Sequence, residues 1–431
     1  MKKSLNIKKE EKRGDERNMK KKGEEIPGLS PEMEVVFWSI GVKENRETAI
    51  AKILKKDINW LKVKKIALLH NVLPLLYNPL KNLEESLVPQ EEMTQIKSSY
   101  RSIALKNLRQ AQNLHRVIEL LSTNGIAVIA FKGPALSVQA YGDLSLRNFC
   151  DLDLLIKTKD FNKIYEVITA AGFHSNFPLT NRMKRYWMVF RRDFDFSDGT
   201  NILDFHHQIT QGPRRISLKE KIWQDQCTVD LLSREIPVLS PEHSLLSICI
   251  HGTKDRWKTL RVTADIAHLI SRHPGLNWKT LVSDAGEIGC LRMLCVGLQI
   301  SRQVCGLELP DGILELVRKD RKTRKLASRY LHQLLIIERT GKTGKLYDTL
   351  ALIKSMDSFG PRINYLCHFA FTPTPMDWKF INLPEFLYPL YYLIRPFRLL
   401  VKLISRPFPS LFFSNEQKQT NQRQNTKGDI E

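Results

Sequence analysis

Asp151 and Asp153 stand two residues apart in FCDLDLLI, among the apolar residues Leu152, Leu154, Leu155 and Ile156. In an extended strand alternate side chains share a face, so both carboxylates point the same way. Their neighbours are apolar enough to make this a core strand, and unpaired charge is costly to bury. Two carboxylates on one side of such a strand call for a cation. Mg2+ is the first candidate, a hard ion that takes oxygen ligands, with Mn2+ as the alternative. The preceding stretch reads as a strand over 126–131, a glycine turn at Lys132-Gly133-Pro134 and a short helix.

The rest of the chain falls into segments around this one. Residues 1–29 are charged and poor in hydrophobes, and read as a disordered tail. Ser30-Pro31 opens a helical region over 30–124, with apolar residues at helical spacing and a stop at Asn124-Gly125. A mixed core over 125–239 follows: a helix at 161–171, strands at 188–196 and 201–208, and a hairpin turn at Ser197-Asp198-Gly199-Thr200 between them. The second hairpin arm, NILDFHHQ, carries Asp204. Residues 240–345 return to helices. An aromatic and basic extension spans 346–413, and 414–431 form a second disordered tail. The expected fold class is α+β, a small mixed β-sheet core flanked by N-terminal and C-terminal helical domains.

Composition narrows the partners. The chain has 431 residues, 42% of them apolar, and a formal net charge of +21. That charge favours polyanions such as nucleoside triphosphates, nucleic acid or an anionic membrane surface. The seven cysteines are odd in number and show no CxxC spacing, and no apolar run precedes a cleavage site at the N-terminus. These features read as reduced thiols in a cytoplasmic protein. The uninterrupted apolar runs within 378–413 are too short to span a bilayer, and Pro389 and Pro396 interrupt them. Arg395, Arg398 and Lys402 fall on one helical face, so this segment reads either as a peripheral membrane helix or as one that folds back on the helical domain.

Asp151, Asp153 and Asp204 on neighbouring strands would make a two-metal site for in-line displacement at phosphorus. Lys132 and Gly133, at a turn leading into a helix N-terminus, would sit on the phosphate side, and Arg147 would reach the same phosphates. Other groups read more plainly. Asp193 and Asp195 form a second DxD, taken as a solvated turn. His206, His207, His251 and Asp255 could be a transition-metal set, but are read first as hydrogen-bonded residues lining a cleft. Arg261 and Asp265 read as a helix-surface ion pair, and Trp257 as core.

FKGPALSVQAYGDLSLRNFCDLDLLI resembles the nucleotidyltransferase superfamily related to DNA polymerase beta, and more closely the bacterial "uncharacterised nucleotidyltransferase" family. ILDFHHQI is similar to that family's strand with the third carboxylate, HNVLPLLYNPL to the helix before its core, and PEHSLLSICIHGTKDRWKTLRVTADIAHLI to its helical block. The likeness runs over about residues 45–310. It implies metal ligands at Asp151, Asp153 and Asp204, and a nucleotide-side role for Lys132, Gly133 and Arg147. Gly133 is followed by Pro134 where the superfamily has Gly-Ser or Gly-Gly, His207 stands in place of Trp, and Asp255 in place of a second histidine. The implied activity is Mg2+-dependent transfer of a nucleoside monophosphate from an NTP such as ATP to a hydroxyl acceptor. The acceptor is a small molecule, peptide or RNA. The alternative is a non-catalytic nucleotide-binding or scaffold protein on the same fold, acting at a membrane surface or on nucleic acid.

Overall fold

The computed structural model describes residues 29–175, 183, 193–209, 216–340 and 352–404. The disordered tails expected from the sequence lie outside these residues, apart from Leu29, as does the 188–192 part of the strand expected over 188–196.

The chain opens with helices α1 (Pro31–Ile40), α2 (Arg46–Ile53), α3 (Trp60–Leu69), α4 (Leu73–Leu80) and the long α5 (Gln90–Thr123). The Ser30 side chain accepts a hydrogen bond from the Met33 N–H at 3.3 Å, so α1 is capped where the Ser-Pro pair predicts. In α5, Leu114, Val117 and Leu121 recur at helical spacing and are buried. The chain then leaves the helix through Gly125, whose φ of +66° suits glycine.

Seven strands follow among the described residues: β1 (Val128–Ala130), β2 (Leu152–Ile156), β3 (His174–Ser175), β4 (Asp193–Ser197), β5 (Ile202–His206), β6 (Cys227–Leu231) and β7 (Arg234–Val238). Helix α6 (Gly133–Tyr141) lies between β1 and β2, α7 (Phe161–Ala170) between β2 and β3, and α8 (Ile216–Gln224) before β6. They form one mixed sheet in the order β3-β4-β5-β2-β1-β7-β6. β2 is central and buried at every position, with β1 antiparallel on one side and β5 parallel on the other. The β6–β7 hairpin is absent from the sequence reading. Its two turn residues, Leu232 and Ser233, have φ of +54° and +63°, the conformation of a type I′ turn that is usually marked by Asn or Gly. Pro237 further masks β7 as a strand.

Helices then resume with α9 (Pro241–Lys254), α10 (Leu260–Arg272), α11 (Trp278–Glu287), α12 (Leu291–Cys305), α13 (Asp311–Lys319) and α14 (Arg321–Thr340). Trp257, in the α9–α10 connection, is fully buried. A Cβ on Gly297 of α12 would lie 2.8 Å from its ring, so glycine is what lets the indole into this core. Cys249, Cys290, Cys295 and Cys305 are buried, and the seven cysteines, all among the described residues, form no disulfide.

Two compact units result, one covering 1–178 and 191–362, the other 179–190 and 363–431. Helix α15 (Phe359–Phe371) begins in the first unit and ends in the second, which also holds α16 (Pro375–Phe380) and α17 (Tyr391–Ile404). In the second unit the fully buried Asp377 accepts from Thr374 N–H at 2.7 Å, Arg395 Nη1 at 3.1 Å and Arg398 Nε at 2.6 Å. Two of the three basic residues expected on one helical face are thus turned onto this carboxylate, while Leu393 and Phe397 of α17 are 69% and 61% exposed. No helix among the described residues is long and apolar enough to cross a membrane.

Two histidines give the first unit an acid-sensitive fold. Burial pushes His70 and His268 each down to about 4, opposed only by backbone and weaker charge contacts. A folded state that holds a histidine neutral below its ordinary value of 6.5 loses stability as pH falls from there toward 4, because the unfolded chain takes up the proton first. For the fully buried His70 this amounts to about 3 kcal/mol over the window. Urea unfolding at pH 7, 5.5 and 4.5 is expected to show this loss, and His70→Phe to reduce the slope. An unchanged slope in that variant would contradict the assignment.

Candidate active site

The site begins with strand register. Asp153 of β2 lies directly opposite Asp204 of β5, and Asp204 lies opposite Asp195 of β4. Directly paired residues in a sheet share a face, so three carboxylates form a row across three adjacent strands. Asp193 pairs with His206 one step along and lines the same cleft as Asp153 and Asp204. The second DxD is therefore part of this face rather than a solvated turn. The fixed β4–β5 hairpin register brings it there, and this cannot be read from the spacing of the two residues alone.

Asp153 is 3% exposed and is held by two cationic groups. Lys132 Nζ donates to its Oδ1 at 2.7 Å, and His206 Nε2–H donates to the same atom at 3.1 Å. The same His206 nitrogen is 3.0 Å from Asp204 Oδ2, so the imidazole bridges the two carboxylates. Burial alone would lower the His206 pKa, but Asp204 and the hydrogen bonds to both aspartates raise it to about 9. Burial likewise disfavours the Asp153 anion, yet Lys132 and His206 outweigh it and hold the carboxyl well below its ordinary range. Asp204 goes the other way: burial raises it, and the nearby Asp153 and Asp193 charges add to that against the pull of His206. One carboxylate of the pair is strongly ionised and the other is less so, as expected for two like charges sharing a site.

Asp153, Asp204 and His206 each offer one donor atom, all within 4.8 Å of one another. Two carboxylate oxygens and an imidazole nitrogen are a donor set that could hold a divalent metal ion. Asp151 lies one residue before β2 and lines the cleft, but it is not among these three. His206 is the donor that sequence reading set aside. Its alternation with Asp204 along β5 is the signal that could have found it.

Lys132 and Gly133 stand at the β1–α6 turn. Gly133 has φ +52°, and a Cβ there would lie 2.8 Å from the Asp151 carbonyl oxygen. Only glycine lets the turn press this closely against the start of the aspartate strand. Lys132 lines the cleft with its ammonium committed to Asp153. Arg147 also lines the cleft but is 5% exposed, with Nε donating to Asp265 Oδ1 at 2.9 Å and Nη1 to the Gly133 carbonyl at 3.4 Å. Tyr141 Oη donates to the same Asp265 oxygen at 2.8 Å. Asp265 is therefore a buried anchor, 2% exposed, and not the surface partner of Arg261. The i,i+4 spacing predicts the wrong pairing because α10 turns Asp265 into the packed contact with α6.

Residues of α9 and α10 complete the lining of the cleft. His251, Lys254 and Arg261 line it. His251 Nε2 is 3.0 Å from Asp255 Oδ2, so these two form a helix-surface pair. His207 lines a separate pocket with Leu218 and Trp223. The four groups considered as a transition-metal set are thus divided among the carboxylate bridge, a helix pair and another pocket.

The profile of a family described as "Uncharacterised nucleotidyltransferase" matches residues 56–306. No curated protein sequence matches the chain. Among solved structures, that of the antibiotic-resistance factor ANT(2'')-Ia is similar over 52% of this chain and 97% of its own, at 13% identity and a TM-score of 0.27. At that TM-score the likeness carries no weight for fold or chemistry.

The Arg147–Asp265 contact can be tested by stability alone. Asp265→Asn leaves a buried guanidinium without its counter-charge, and chemical denaturation is expected to show a loss of about 3 kcal/mol. Glu34→Gln, which breaks the exposed pair with Lys56, is expected to cost less than about 1 kcal/mol.

Proposed function

This chain belongs to the uncharacterised nucleotidyltransferase family, and on that premise we propose that it transfers a nucleoside monophosphate from an NTP to a hydroxyl acceptor. The observation that carries the proposal is the register that sets Asp153 opposite Asp204 on two parallel strands at a cleft with cationic walls. Asp153 and Asp204 would hold a divalent ion, with Asp151 as a further carboxylate of the same cleft and His206 as a third donor once binding displaces its Nε2 proton. Bound there, the ion would neutralise phosphate charge and lower the pKa of the attacking hydroxyl.

The residues have separable tasks. Lys132 shares Asp153 and keeps its charge beside the metal-side oxygens. Gly133 brings the start of α6 against the aspartate strand, where helix N–H groups favour an anion. Pro134 removes one of those donors. Arg147 supports this turn from behind, through the Gly133 carbonyl, and so orients the phosphate side rather than gripping it.

The second unit supports an additional contact. Leu393, Phe397 and Leu400 are exposed on one amphipathic helix, a surface suited to lie at an anionic membrane interface.

Asp153→Asn and Asp204→Asn are expected to abolish high-affinity Mn2+ binding, read by electron paramagnetic resonance. NTP consumption should fall by about two orders of magnitude or more. Retention of Mn2+ binding and NTP turnover by both variants would overturn the mechanism.

A further inference from the structure

Arg261 is the second residue of α10 and lines the same cleft as the aspartate strands. Its backbone N–H donates to the His70 carbonyl at 3.3 Å, and its Nη1 donates to the Asn148 carbonyl at 2.8 Å. Its Nε is buried and has no acceptor among the described residues. The acidic residue one turn along the same helix, Asp265, is already engaged by Arg147 and by Tyr141. Two guanidinium groups therefore share the neighbourhood of a carboxylate whose Oδ1 already accepts from Arg147 and Tyr141, and the side-chain partner of Arg261 among the described residues is a carbonyl oxygen.

The electrostatics agree with this geometry. Burial and the charge of Arg147 both lower the Arg261 pKa, and Asp265 and Asp151 offset them only in part. Arg261 is half-buried, with an unpartnered Nε and no carboxylate of the described residues paired to it directly, a disfavoured state that an arriving anion would relieve. Lys254, in the last turn of α9, adds a second positive charge to the same wall. The guanidinium is also the group best matched to phosphate oxygens. The cleft thus combines carboxylates of β2, β4 and β5 with cations of α9 and α10.

We propose that Arg261, assisted by Lys254, is the subsite for the terminal phosphates of a metal-bound nucleoside triphosphate and for the pyrophosphate left after transfer. This rests on the nucleotidyltransferase reading of the same cleft. It moves the phosphate-gripping role expected of Arg147 to a residue of the helical block that the sequence reading gave only an ion-pair role. This arrangement would orient the substrate, with its reacting phosphate toward Asp153 and Asp204 and its far end toward α10.

Inorganic tripolyphosphate is the direct probe, since it carries the phosphates without base or acceptor. Calorimetry on the full chain in Mn2+ is expected to show binding by the wild type, weakened about tenfold or more in Arg261→Gln and a few-fold in Lys254→Gln. Mn2+ binding without tripolyphosphate should be unchanged in both variants. Lys254 is exposed, so its variant tests the wall even if Arg261→Gln folds poorly. Wild-type affinity for tripolyphosphate in the folded variants would overturn the subsite and leave the nucleotidyltransferase reading standing. A wild type that binds Mn2+ but no tripolyphosphate would also overturn the subsite. A wild type that binds neither would overturn both.

Discussion

The structure depends on one electrostatic compromise, two carboxylates facing each other across adjacent core strands. Asp153 and Asp204 are directly paired, and neither has a comfortable place to put its charge. Burying like charges side by side is strongly unfavourable unless something positive intervenes. Here Lys132 and His206 do so, from the turn before α6 and from the same strand as Asp204. Each structural choice around the site follows from making that contact possible. The glycine brings the turn close, the alternation of β5 puts the imidazole on the aspartate face, and the buried β2 keeps water from screening the charges.

A second buried ion pair ties the sheet to the helices behind it. Arg147 reaches from the loop before β2 to Asp265 on α10 and to the Gly133 carbonyl. Through it the position of the lysine–glycine turn is linked to the helical half, which also supplies Lys254 and Arg261 to the cleft. A buried ion pair is weak support for stability by itself, because desolvation offsets much of the attraction. Its value here is positional, since it sets where one wall of the cleft stands relative to the other.

Much of this was legible from residue order alone. The turn, the short helix and the aspartate strand read correctly because their signals are local: a glycine where φ is positive, and an apolar run with alternating charge. The α+β class and the helices after residue 240 followed from periodicity in the same way. What was not legible depends on long-range register or unusual turn chemistry. Leu232 and Ser233 carry a hairpin turn without glycine or asparagine, so β6 and β7 left no mark. Asp193 looked like a turn residue until β4 paired with β5. Asp265 looked like a surface partner for Arg261 because the spacing fitted. Only tertiary packing shows that its carboxylate is taken by a residue 118 positions away.

The direct opposition of Asp153 and Asp204 also limits how such a chain can change over time. Side chains alternate along β5, so one added or deleted residue within it would exchange Asp204 for Leu203 or Phe205 at the position facing Asp153. The same slip would drive a carboxylate into the greasy interior and expose two core residues. Assembly of the interior and alignment of the reactive groups are therefore a single event. Descendants of this gene can vary β5 by swapping letters, while changes of length are confined to joints such as the turn at 198–201.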